Sequence, residues 1–362
     1  MVRASGSTVP SLRTASRRQL TLFVAISGVL LAALAAVFVP VPYVILSPGP
    51  TLNTLGTGPS GRSLIQITGN PVYPTAGHLN LVTVSFQGGP SNSLNVFAAL
   101  RAWLTPHEAV VPQEELFVPG QTQRQVVQQD TQQMTSSQQT ATAAALCVLG
   151  IKFQVVDTIA VVAKGLPADG VLRRGDVITA VDGKPVTCKA SAASLIRTRS
   201  PGDPVTLTIA RTVGGHRVIR QFHLKTAAIH GTPVVGVKVA ERFVFPFNVK
   251  IRVGDIGGPS AGLMFALGIV DKLTPGNLTG GRFVAGTGEI SADGAVGAIG
   301  GIQQKMAGAR QAGATLFLTP AANCPDAAGA VPAGMRVVKV RNLAAAVSAL
   351  HALAAGRNVP SC

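Results

Sequence analysis

Ser260 lies in Gly257-Gly258-Pro259-Ser260-Ala261-Gly262, a serine among glycines at the point where an apolar run begins. Residues 261–272 read as a helix, with Leu263, Leu267 and Val270 on one stripe and Pro259 acceptable in its first turn. A serine so placed has its hydroxyl at a turn, close to backbone N–H groups that can stabilise a developing oxyanion. An acyl-transfer nucleophile needs that setting. The N–H groups around Gly258, Pro259, Ser260 and Ala261 are the candidate donors. The hydroxyl also needs a base, and Lys305 is the candidate. Residues 302–312 read as a second helix closed by Gly313, on which Ile302, Lys305, Met306 and Ala309 share the apolar face while Gln303 and Gln304 point elsewhere. To act as a base the lysine must be neutral, and lowering its pKa from about 10.4 to about 7.5 takes roughly 4 kcal/mol of bias against the ammonium. Burial among apolar side chains supplies shifts of that size.

Two further motifs surround the pair: Thr287-Gly288-Glu289-Ile290, and the glycine-rich residues 294–301, which end in the Gly300-Gly301 step before the lysine helix. With them, residues 254–313 resemble the proteolytic domain of Lon-type proteases, and the resemblance extends over roughly residues 234–353. It implies that Ser260 is the nucleophile, that Lys305 is its base and that Thr287 helps to hold the lysine. It also implies assembly into a homo-oligomer. The loop at residues 254–257 is shorter than in ATP-dependent Lon enzymes, and Asp255 receives no role. No Gly-x-x-x-x-Gly-Lys-Ser/Thr phosphate loop occurs, so the expected activity is independent of ATP.

Other hydrolytic chemistries fit less well. The six histidines are dispersed, with neither His-Glu-x-x-His nor Cys/His zinc spacing, so no metal and no cofactor are expected. Residues 258–262 also satisfy Gly-x-Ser-x-Gly, and Asp326 and His351 follow in the chain order of an α/β-hydrolase triad. That elbow requires a strand directly before the serine, and Gly257-Gly258-Pro259 interrupts one.

The elements that position these residues occupy the last third of a chain of 362 residues, with room for two or three domains. The formal charge is +16 and only 4% of residues are aromatic, which argues against stacked platforms for single-stranded nucleic acid. Its basic residues are scattered, which suits an anionic membrane surface better than DNA. Residues 1–19 carry Arg3, Arg13, Arg17 and Arg18 and no acid, and residues 20–39 then run without a charge. This is the pattern of a basic cytoplasmic tail and a transmembrane helix within residues 20–42, with the rest of the chain outside by the positive-inside rule. A cleaved signal peptide, with Ala33-Leu34-Ala35 as processing site, is the alternative.

Residues 43–149 read as a mixed α/β spacer, with strands at 64–68 and 78–86 and helices at 93–103 and 121–149. Residues 150–226 contain Gly175-Asp176-Val177-Ile178 and an Asp182-Gly183 turn, then a short helix and two strands. They resemble a PDZ domain of the kind attached to bacterial proteases, here expected as a β-sandwich. Such domains add an extended peptide to a sheet edge. Gly150, Ile151, Lys152 and Phe153 are the expected carboxylate loop. The proteolytic domain is expected over residues 234–355, with strands at 233–239 and 249–253, a pair at 282–290 and 295–299, and a short tail at 356–362. The whole reads as α+β. Of four cysteines, Cys147, Cys188, Cys324 and Cys362, a Cys324–Cys362 bridge would tie down the tail. The expected function is peptide-bond hydrolysis of unfolded or extended chains outside the cytoplasm, with the PDZ-like domain either recruiting substrates or gating access. A membrane-tethered PDZ scaffold with a degenerate protease domain is the alternative.

Overall fold

The computed structural model describes residues 16–58, 61–90 and 92–362, with the side chains at 33, 35, 37 and 38 outside the description. Most of the expected basic tail thus lies outside the described residues. From the N-terminus the chain forms α1 (Arg17–Phe38), β1 (Pro40–Val41), β2 (Tyr43–Asn53), β3 (Ile65–Thr68), β4 (His78–Gly88) and β5 (Leu94–Asn95). Next come α2 (Val96–Leu104), β6 (Ala109–Pro112), α3 (Gln113–Leu116) and the long α4 (Gln123–Val148). The middle of the chain gives β7 (Gln154–Val162), β8 (Val177–Val181), β9 (Lys184–Pro185), α5 (Ala192–Arg197), β10 (Pro204–Val213) and β11 (His216–Lys225). Then follow β12 (Ala227–Ile229), β13 (Thr232–Val234), β14 (Val237–Val244), β15 (Asn248–Ile251), α6 (Gly262–Leu273), β16 (Phe283–Gly286), β17 (Glu289–Ile290) and β18 (Val296–Gly297). The last elements are α7 (Ile302–Gln311), β19 (Leu316–Pro320), α8 (Cys324–Ala328), β20 (Arg336–Val340) and α9 (Leu343–Ala354).

Two compact units result, Met1–Leu46 with Phe86–Gln123, and Ser47–Ser85 with Arg124–Cys362. In the first, the segment expected to cross a membrane is α1, which ends before Pro40 because proline cannot continue a helix. Among the described residues no helix is long and apolar enough to cross a membrane. β1 pairs with β5, and the first residues of β2 pair with β6, Tyr43 opposite Pro112. Asn95 caps α2 by accepting a hydrogen bond from the Ala98 N–H.

The second unit holds a mixed sheet in the order β20-β19-β16-β4-β2. β16 is parallel to both β4 and β19, and β19 is parallel to β20. This corrects the reading of residues 43–149 as a spacer. Leu79 and Leu81 of β4, with Met134, Ala141 and Ala144 of α4, belong to one buried cluster with α6 and α9. The alternation in β4 announced a half-buried strand, but its partner β16 lies some two hundred residues away, beyond any local pattern. α6 is buried on every side from Gly262 to Asp271, as a central core helix should be.

Between α4 and β15 runs a second sheet, β11-β10-β8-β7-β14, with β9 on β8 and α5 packed into the same apolar cluster. It is one six-stranded sheet, not the expected sandwich. β14 pairs along β7 from Val237 opposite Val162 to Val244 opposite Gln154, so residues expected to open the proteolytic domain close this sheet instead. Arg211 of β10 donates two hydrogen bonds to the Asp176 carboxylate and fixes the Gly-Asp turn. Cys324 and Cys362 are bridged as expected, and the remaining pair, Cys147 and Cys188, joins the end of α4 to the segment before α5.

Candidate active site

Ser260 is half-buried at the mouth of α6, which begins at Gly262. The preceding turn depends on Gly258, whose φ of +83° lies in the left-handed region that a side chain resists. Two groups of α4 hold this turn. The Gly258 N–H donates to the Asp130 carbonyl at 3.2 Å, and Ser137 Oγ donates to the Pro259 carbonyl at 3.0 Å. α4 and β17 come so near that a Cβ on Gly262 would lie 3.1 Å from Ser137 Oγ of the first and 2.8 Å from Ile290 Cγ2 of the second.

α7 delivers the lysine. Its apolar face is buried as expected, Lys305 itself is only 4% exposed, and Gln304 is buried on a second face. Lys305 Nζ lies 3.0 Å from Ser260 Oγ and 3.3 Å from Thr287 Oγ1. Thr287 Oγ1 in turn donates to the Ser260 carbonyl at 3.0 Å. Its single proton is thereby committed, so it can only accept from Nζ. With Nζ neutral and one N–H directed to Thr287, its lone pair is free to accept the Ser260 hydroxyl proton. Burial lowers the Lys305 pKa from 10.5 to about 8, against the Glu289 carboxylate, which raises it. At neutral to mildly alkaline pH a useful fraction of the amine is neutral.

The expected strand at 282–290 is broken, and the break serves the site. Sheet pairing stops at Gly286, and the Gly288 N–H then donates to the Ser260 carbonyl at 2.8 Å, while the Leu263 N–H donates to the Gly288 carbonyl at 3.0 Å. The Thr287 N–H still donates to the Leu318 carbonyl of β19 at 3.1 Å, so the backbone leaves the sheet at Gly288 to clasp the start of α6, and the remaining hairpin is only β17 with β18.

Four positions were candidate oxyanion donors, and two of them fail. Pro259 has no N–H, and that of Gly258 is engaged by Asp130. The N–H groups of Ser260 and Ala261 make no hydrogen bond among the described residues and are free to face a substrate oxygen. Asp326 and His351 are both exposed and form no hydrogen bond with Ser260, so the structure assembles no triad around it. Among the described residues no cluster of three or more His, Cys, Asp or Glu side chains could hold a metal ion.

A second site lies on the inserted sheet. β14 is its edge strand, and between β14 and α5 opens a cavity of about 290 Å³ lined by Leu166, Ala192, Ile196, Val235 and Val237, with Arg197 and Lys238 at polar positions. Gly150, Ile151, Lys152 and Phe153 do not line it. They form the turn from α4 into β7, where Phe153 packs against Phe243 and Phe245. The carboxylate loop was sought before the first strand, whereas the edge strand arrives last in chain order. The signal was Val235-Gly236-Val237 before a run of alternating residues.

Comparison with known proteins finds two matching segments. Residues 249–351 match the C-terminal proteolytic domain of Lon protease (S16), and residues 147–222 match the PDZ domain. The Lon protease of Citrifermentans bemidjiense is 45% identical over 81 residues, covering 22% of this chain and 10% of that protein. For the Lon protease of Roseiflexus castenholzii the identity is 42% over 69 residues, covering 19% and 8%. The chain therefore spans a tenth or less of the length of these curated relatives. Among solved structures, the PDZ domain of the SdrC-like protein from Listeria monocytogenes is 28% identical, covering 23% of this chain and 85% of that one at a TM-score of 0.21. Two segments of this chain thus match a PDZ domain and a Lon-type proteolytic domain.

Proposed function

We propose that the chain is an ATP-independent serine endopeptidase in which Ser260 is the nucleophile and Lys305 the general base. The observation that carries this reading is the 3.0 Å approach of a buried lysine amine to a half-buried serine hydroxyl at a helix N-terminus. Lys305 takes the Ser260 proton as Oγ attacks the scissile carbonyl, and the Ser260 and Ala261 N–H groups receive the oxyanion. The protonated lysine then gives its proton to the leaving amine, and water attacks the acyl-enzyme with Lys305 again as base. Thr287 keeps the lone pair of Nζ on the serine.

The absence of a phosphate-loop motif supports independence from ATP. Without an ATPase to unfold them, substrates are extended or unfolded chains. The open edge of β14 beside an apolar cavity suits the capture of such a chain as an added strand. Anchoring in a membrane is supported by the charge-free run at residues 20–39, four of whose side chains lie outside the described ones, and by the arginines that precede it. Two disulfides fit an oxidising, extracytoplasmic location for the remainder. The test is cleavage of a permanently unfolded protein by the full chain in detergent, without ATP or metal, beside Ser260→Ala and Lys305→Ala. Loss of activity in both variants with folding intact is the expected result. Equal activity in all three would rule the assignment out.

A further inference from the structure

Helix α2 has its side chains in the wrong places for a helix bathed in water. Its small residues Ala98 and Ala102, one turn apart, face inward against Ile45 and Leu94. Its large ones face out: Phe97 is 62% exposed, Leu100 52%, Trp103 76% and Leu104 81%. A soluble amphipathic helix does the opposite, and a contiguous apolar face of this kind marks a contact surface. The one charged residue of the helix, Arg101, is exposed and within 3.6 Å of the Glu108 carboxylate.

The place of this face in its unit indicates what covers it. β1 follows α1 after a single residue and pairs with β5, and α2 begins directly after β5. The start of α2 is therefore held beside the end of α1, and the two helices touch. Leu30, Leu31 and Leu34 on α1 are exposed apolar residues in the same unit, so the helix that α2 touches also presents apolar side chains outward. Aromatic residues with a polar ring edge, tryptophan above all, collect at the boundary between headgroups and acyl chains, and a chain of charge +16 is drawn to anionic lipid.

We propose that α2 is an interfacial helix that beds Phe97, Leu100, Trp103 and Leu104 into the membrane surface at which α1 emerges. The proposal rests on the reading of residues 20–39 as a membrane anchor. A helix lying in the interface would fix the anchored unit at a defined depth, which a single spanning helix does not do.

Trp103 is the only tryptophan in the chain, so its fluorescence reports on α2 alone. The full chain is reconstituted into vesicles of phosphatidylcholine and phosphatidylglycerol in equal parts, with bromines placed either high or low on the acyl chains. The expected result is co-flotation with the vesicles, with emission quenched at least about twofold by shallow bromines and less by deep ones. Phe97→Glu with Leu100→Glu should still float but lose the quenching. Flotation without quenching by either lipid would overturn the proposal and leave the anchor standing, and stronger quenching by deep bromines would overturn an interfacial position. Failure to float would remove the anchor and the proposal together. Concentration-dependent cross-linking between copies through position 104, with Trp103 unquenched, would assign the face to a second copy of the chain instead.

Discussion

Lys305 is buried at a cost, because a lysine ammonium loses its water there, and the same loss makes it useful as a base. In the proposed mechanism its pKa of about 8 sets the pH dependence of the reaction. kcat/KM for a short peptide should rise with pH and level off above about pH 8, and a profile flat from neutral to alkaline pH would exclude this lysine as the titrating group. The same shift acts on stability. Between about 8 and 10.5 the unfolded chain holds a proton that the folded chain has released, so stability rises with pH across that window, by about 3 kcal/mol in total. Denaturant titrations across the window should show that rise and show it missing in Lys305→Met. In the proposed mechanism Thr287 positions Lys305, so Thr287→Val should lower kcat by about 10- to 100-fold with little change in KM, and Thr287→Ser should restore most of it. A change confined to KM would point to substrate binding instead. At this scale the sequence was legible, since helix periodicity put Lys305 on a buried face and glycines framed Ser260. Which N–H groups were free was not, because the engagement of Gly258 depends on Asp130 of a distant helix.

Elements were legible in proportion to how local their causes were. α6 and α7 follow from periodicity and the glycine stop at Gly313, and their ends fall close to the expected ones. The break at Gly288 could not be read from a run of strand-forming residues, because the competing partner of its N–H is the Ser260 carbonyl. α4 was visible as a long helix but not as a support of the active site, since its polar, Gln-rich face says nothing of what Ser137 touches. The groove between α5 and β14 was missed because the edge strand follows the rest of its sheet in the chain. Ile196 lines that groove, and Ile196→Glu should weaken binding of extended peptides ending in an aliphatic residue by at least about tenfold, measured by fluorescence anisotropy. Cleavage of short peptides that do not reach the groove should be unchanged, and unaltered binding would place the peptide elsewhere.

At the scale of the whole molecule, the proteolytic core is assembled from residues on both sides of the inserted sheet. β2, β4 and α4 come before it, and β15 to α9 after it. Such an order is invisible to a reading that cuts a chain where its composition changes, which is why residues 43–149 looked like a spacer. The Cys147–Cys188 bridge closes the chain across the entry to the insertion, with a sequence separation of 41. Loop-closure entropy assigns a bridge of that span about 3 to 4 kcal/mol. Replacing both cysteines by serine should lower the denaturation midpoint accordingly, and an unchanged midpoint would mean that the bridge does not constrain the unfolded chain.

The central claim, that Lys305 activates Ser260, is tested most directly by labelling the full chain with a fluorophosphonate and locating the adduct by mass spectrometry as a function of pH. The account predicts a single adduct on Ser260, formed at a rate that reaches half its maximum near pH 8 and falls at least about 100-fold in Lys305→Ala. An adduct on another residue, or one on Ser260 whose rate is indifferent to Lys305→Ala, would contradict it.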